Sequence, residues 1–104
     1  MITDACRVVA AQITEAQWQK TVCDMLDIYH WRWYHANRPK WDKRGLPDLI
    51  AVRGTRLLFL ELKTMTGKIR REQAEWIDTL RATGKAEVYV IRPCDGDYVE
   101  ELLK

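Results

Sequence analysis

Three charged residues stand inside runs that are otherwise apolar. Asp48 sits near the start of PDLIAVR (47–53), and Glu61 and Lys63 sit at the end of RLLFLELK (56–63). Gly54-Thr55 between the runs is the Gly-X pair of a two-residue type II′ hairpin turn. With that turn Arg53 faces Arg56, and counting back along both strands sets Asp48 opposite Glu61. Directly opposed side chains have Cβ atoms about 4.5–5.5 Å apart, so two ionised carboxylates there repel by roughly 3 kcal/mol at an effective dielectric of about 20. A hard divalent cation such as Mg²⁺, which takes carboxylate oxygens and keeps several waters, relieves that repulsion. Lys63 follows Glu61 by two residues and so projects from the same face. The plainer alternative is an Asp capping a loop and a solvent-facing Glu61–Lys63 pair. It does not explain why polar groups interrupt strands that are apolar on successive residues (LIAV, LLFL), a pattern that predicts cover on both faces.

The elements that must position this trio are readable from periodicity. Thr14 and Gln17 have capping-box spacing, and Trp18, Val22, Met25, Leu26 and Tyr29 follow at helical spacing, which predicts an amphipathic helix over 15–29. A weaker pattern allows a short helix over 3–12. WRWYH (31–35) reads as a strand, and 36–46, with Pro39 and Gly45, reads as a loop. After the hairpin, Ile69, Trp76, Ile77 and Leu80 mark a second helix between Gly67 and Gly84, with Gly84 at its C-terminal cap. AEVYVIR (86–92) is a further strand ended by Pro93, and Asp97 and Glu100 are expected to cap a terminal helix over 98–103. The order helix–strand–strand–strand–helix–strand predicts an α/β fold with a mixed sheet flanked by helices.

Composition bounds the rest. The 104 residues suit one domain, 1–104; 47% are apolar and 31% charged, which excludes a disordered or collagen-like chain. No apolar run approaches the ~18 residues of a membrane span, no secretory leader is recognisable, and Cys6, Cys23 and Cys94 form no CxxC pair. These features suggest a cytoplasmic protein with reduced thiols. The net charge of +2 is uninformative, but its distribution is not: ANRPKWDKR (36–44) holds four basic residues against one acid, and KTMTGKIRR (63–71) holds four with none. Two basic segments bracketing one hairpin suggest a phosphate-binding surface. Its candidate contacts are His35, Arg38, Lys40, Trp41, Lys43, Arg44, Lys68, Arg70 and Arg71. Trp18 and Trp76 lie on apolar helix stripes and are expected in the core.

Pro47-Asp48, twelve intervening residues and Glu61-Leu62-Lys63 resemble the PD-(D/E)xK nuclease signature. GLPDL (45–49), FLELK (59–63), Gln73 and Trp76 resemble, more narrowly, the virus-type replication–repair nuclease family, VRR-NUC, over about Thr14 to Pro93. That resemblance implies a restriction-endonuclease-like αβββαβ core and hydrolysis of DNA phosphodiesters dependent on Mg²⁺ or Mn²⁺. Carried onto this chain, Asp48, Glu61 and the backbone carbonyl of Leu62 would hold the metal, and Lys63 would act on the attacking water and the phosphate. It also implies that Glu15, on the inward stripe of the first helix, reaches the site as a further acid or metal ligand, and that Gln73 belongs to the catalytic centre. Read without it, Glu15 is an acid favoured in a first helical turn and Gln73 a satisfied core amide. The family's helix after the hairpin often opens on Thr or Ser; here the segment is GKIRRE. Stand-alone members resemble homodimeric Holliday-junction resolvases, which suggests a bacterial or phage context. A nickase, a flap or duplex nuclease, and a catalytically silent DNA-binding module are the alternatives.

Overall fold

A computed structural model describes residues 8–36 and 45–104. The contacts expected of Arg38, Lys40, Trp41, Lys43 and Arg44, and Cys6, lie outside the described residues. Helix α1 spans Glu15–Ile28, preceded by a helical turn at 8–10. Its capping box forms as the spacing predicts: Gln17 N–H donates to Thr14 Oγ1 at 3.1 Å and Thr14 N–H to Gln17 Oε1 at 2.9 Å. The helix ends with His30 at φ 64°, Trp31 N–H on Leu26 O and His30 N–H on Asp27 O. This is a Schellman stop with histidine in the left-handed position that glycine usually takes.

Strands β1 (Arg32–His35), β2 (Leu49–Arg53) and β3 (Arg56–Leu62) form an antiparallel meander. Helix α2 (Arg71–Ala82) returns the chain to β4 (Glu87–Ile91), which pairs in parallel with β3, as a helical crossover allows. A 3-10 turn (Pro93–Asp95) and helix α3 (Gly96–Leu103) follow. Spatial order equals chain order, β1-β2-β3-β4. The hairpin register is the expected one, Arg53 against Arg56 and Leu49 against Leu60. Gly54 has φ 60°, and Thr55 is not among the positive-φ residues, as a II′ turn requires.

Side chains alternate across the sheet. Leu49, Ala51, Leu58, Leu60, Leu62 and Ile91 face one way and meet Trp18, Val22 and Leu26 of α1 and Val99 and Leu103 of α3 in the main core. Glu61 therefore faces the other way, where α2 packs. That second face corrects one expectation. Val52 is exposed and Ile50, Leu57 and Phe59 are only half-buried, because α2 packs on β4 and reaches β3 at its Glu61 end, leaving the rest of that face more open. Three other expectations also change. The terminal helix starts at Gly96 with Asp95 as its N-cap residue, and Asp97 falls inside its first turn. The second helix begins at Arg71, so Ile69 precedes it and is exposed. Trp76 is 36% exposed rather than core, because the buried stripe of α2 is confined to Gln73 and Ile77.

Candidate active site

The hairpin register, extended one step past Leu49–Leu60, brings Asp48 to Glu61 at the end of the meander away from the turn. Asp48 is held from both sides: its carbonyl accepts from Ala36 N–H at 2.9 Å, and its Oδ2 accepts from Leu62 N–H at 2.9 Å. Glu61 is 2% exposed. Its Oε2 accepts a 2.9 Å hydrogen bond from Gln73 Nε2 and lies 3.6 Å from Lys63 Nζ. Its Oε1 is buried with no hydrogen-bond partner among the described residues. Burial pushes the Glu61 carboxyl up to about 7; the neighbouring Asp48 adds to the rise and Lys63 opposes it. A proton or a cation is what this pair needs at neutral pH.

Gln73 does two jobs. It is the third residue of α2, and its Oε1 accepts from Arg70 N–H at 2.9 Å, closing the helix start in place of a Ser or Thr cap. That bond sets the amide orientation, so the NH₂ group must face Glu61. Gly45 draws the loop before Asp48 against the same helix. It adopts φ +112°, and an added Cβ would fall 2.6 Å from Glu72 C and 2.8 Å from Trp76 Cδ1. Only glycine allows that approach.

Asp48, Glu61, Lys63 and Gln73 are therefore brought together. Glu15 is not brought into that hydrogen-bonded group. It is exposed in the first turn of α1, whose buried face is Trp18, Val22, Cys23 and Leu26, so the inward placement expected from its spacing to Trp18 is corrected. Standing three and seven residues before Trp18 and Val22 gives Glu15 a neighbouring azimuth without forcing a first-turn side chain inward. Among the described residues no group of three or more His, Cys, Asp or Glu gathers as a metal cluster. The pair nonetheless suits a hard cation, since an orphaned buried carboxylate oxygen beside a second carboxylate is the donor set such an ion takes, with water completing its shell. His35 ends β1 opposite Leu49, next in the chain to Asp48. Lys68, Arg70 and Arg71 are exposed on the approach to α2, and Arg71 pairs with Glu75. No membrane-crossing helix exists among the described residues.

One arginine near the site was not singled out by sequence reasoning. Arg92, just past β4, donates from Nη1 to Thr64 O at 2.5 Å and to Gly67 O at 2.7 Å. A single arginine before Pro93 carries no local signal of such a role.

No protein-family model matches the sequence, and no curated protein matches it either. Solved structures do. One described as a VRR_NUC domain superposes with a TM-score of 0.68 at 23% identity, covering 86% of this chain and 92% of its own. A second, a VRR_NUC domain protein, gives 0.64 at 25% identity, covering 86% and 84%. Hjc, a Holliday junction resolvase from Archaeoglobus fulgidus, gives 0.52 at 19% identity, covering 70% of this chain and 64% of its own. The mixed four-stranded sheet with its flanking helices has the VRR-NUC family fold.

Proposed function

We propose that the chain is a DNA nuclease that uses Mg²⁺ or Mn²⁺ held by Asp48 and Glu61. The observation that carries this reading is Glu61: a carboxylate 2% exposed, one oxygen unpartnered, its neighbour another acid. A fold maintained for stability alone gains nothing from such a group, because burying a charge without full compensation is costly. The fold shared with VRR_NUC domains and with a junction resolvase supports the substrate class.

The bound ion would supply Lewis-acid activation of water and charge neutralisation. The chain's own groups supply the rest. Gln73 holds Glu61 by Oε2 and so leaves Oε1 free for the ion. Leu62 N–H sets the orientation of Asp48. Lys63, its side chain 14% exposed and within 3.6 Å of Glu61, presents an ammonium to the negative charge that builds on the phosphate, where a half-buried setting strengthens it. The backbone carbonyl of Leu62 is proposed as a further ligand on the family resemblance. Lys68, Arg70 and Arg71, with the basic segment 36–44, are proposed to carry the DNA backbone, and a homodimer to place paired cuts on a branched substrate, since two-fold symmetry relates two such cuts.

The test is cleavage of matched duplex, flap and four-way-junction DNA with Mg²⁺ or Mn²⁺ against EDTA. Metal-dependent cutting, strongest on the junction, is expected. Cutting that persists in EDTA would overturn the metal assignment, and cutting of none of the three would overturn the nuclease.

A further inference from the structure

Lys63 directly follows β3, and Gln73 lies in the first turn of the helix that follows residues 64–70, so one loop joins the two side chains that hold Glu61. The loop is gripped from the end of β4. Ile91 O accepts from Lys63 N–H at 3.1 Å. The next residue, Arg92, bridges Thr64 O and Gly67 O through one guanidinium nitrogen, at 2.5 and 2.7 Å. Gly67 N–H closes back on Thr64 Oγ1 at 3.0 Å. The backbone on Arg92's own side is tied too, its N–H donating to Asp95 Oδ2 at 2.8 Å. Among the described residues Arg92 is in no ion pair; the guanidinium serves loop carbonyls alone.

We propose that Arg92 is the positioning residue for Lys63, a role that rests on the nuclease reading. By fixing the two carbonyls that follow Lys63, it confines the lysine stem to the Glu61 side of the loop. A flexible four-carbon ammonium loses its place easily, and misplacing a reacting group by about 1 Å costs up to roughly a hundredfold in rate. A charge-assisted bridge to two carbonyls is a strong local restraint.

The first readout needs no activity. In metal-free protein, acylation of Lys63 by an amine-reactive ester, read by peptide mass spectrometry, should rise severalfold in Arg92→Met. Labelling of exposed Lys20 should stay unchanged as the control. Methionine keeps an apolar stem, and Arg92→Lys, which offers one ammonium to the two carbonyls, should restore part of the protection. Thermal melts confirm that each variant is folded; if Arg92→Met does not fold, Arg92→Lys carries the comparison with a smaller rise. The second readout is cleavage: kcat should fall about tenfold or more with KM for DNA unchanged, and Arg92→Met should cost nothing further in a Lys63→Ala background. Unchanged Lys63 labelling in a folded variant would overturn the clamp. An equal kcat loss with and without Lys63 would make Arg92 a general brace instead. Wild-type protein that cuts no DNA would overturn the nuclease reading and leave the labelling arm to decide the clamp by itself.

Discussion

The two ends of the β2–β3 hairpin treat charge in opposite ways. At the turn end, Arg56 meets Glu87 through two 2.8 Å hydrogen bonds, and Tyr89 OH donates to the same carboxylate at 2.6 Å. Arg53 donates to the carbonyls of Tyr29, Leu103 and Lys104, and both guanidinium groups lie over the Trp31 ring, at 4.5 and 5.2 Å. Arg53, Arg56 and Glu87 each have partners there, and the Arg56 hydrogen bonds hold the Glu87 carboxyl below its usual range. At the other end Glu61 is more deeply buried, lacks a donor for Oε1 and is pushed up to about 7, chiefly by burial. The same residue type on neighbouring strands is thus a stabilising partner in one place and a strained group in the other. The contrast shows where the fold tolerates a cost. Perturbed carboxylates that structural pairing does not explain mark functional sites.

The largest expected effect separates the two glutamates by activity. Glu61→Gln should lower cleavage by orders of magnitude, and Glu87→Gln should leave kcat close to wild type. A Glu87 variant as inactive as the Glu61 variant would erase the contrast. Next comes stability at the turn end. Arg56→Met removes the Glu87 bidentate pair, a hydrogen bond to Leu102 O and one ring contact. At about 1–2 kcal/mol for such bonds, and ~4–8 °C per kcal/mol in a domain of this size, the melting temperature should fall by about 4–16 °C. A smaller shift would show that solvent screens the pair.

The pH dependence of the metal-free protein sharpens the same comparison by a few degrees. Glu61 is raised in the folded state, so its contribution is full below its ordinary 4.5 and is lost as pH rises through about 7. Glu87 is lowered, so its contribution is present above 4.5 and is lost as pH falls through its folded value. Melting temperature should thus decline on both sides. Glu61→Gln should flatten the alkaline decline, because a glutamine amide can accept from Gln73 and donate to Asp48. Mn²⁺ should stabilise the wild type more at pH 8 than at pH 6, since binding must displace the Glu61 proton. An alkaline limb unchanged in Glu61→Gln would place the titrating group elsewhere. The smallest effect concerns His30, whose left-handed backbone leads into Trp31 at the compensated end. His30→Gly should change stability by less than about 1 kcal/mol and in the favourable direction, since only the αL strain is removed. A loss on thermal melting would mean the imidazole itself contributes.

What the sequence determined by itself was everything of short range. The capping box at Thr14, the II′ turn at Gly54 and the register that opposes Asp48 and Glu61 follow from local backbone geometry, which a few neighbouring residues dictate. The element order followed from periodicity, and the Asp48–Glu61–Lys63 trio from its interruption of apolar strands. The tertiary structure decided what depends on packing between distant segments. It left one sheet face open at Val52, exposed Trp76 and Glu15, and gave Gln73 its two partners, Arg70 and Glu61. It also fixed how deeply Glu61 is buried, and so how far its proton affinity rises. Arg92 lies 28 residues from Thr64 in the chain and 2.5 Å from its carbonyl. No sequence period encodes that meeting, because the parallel crossover through α2 alone brings the end of β4 beside the end of β3.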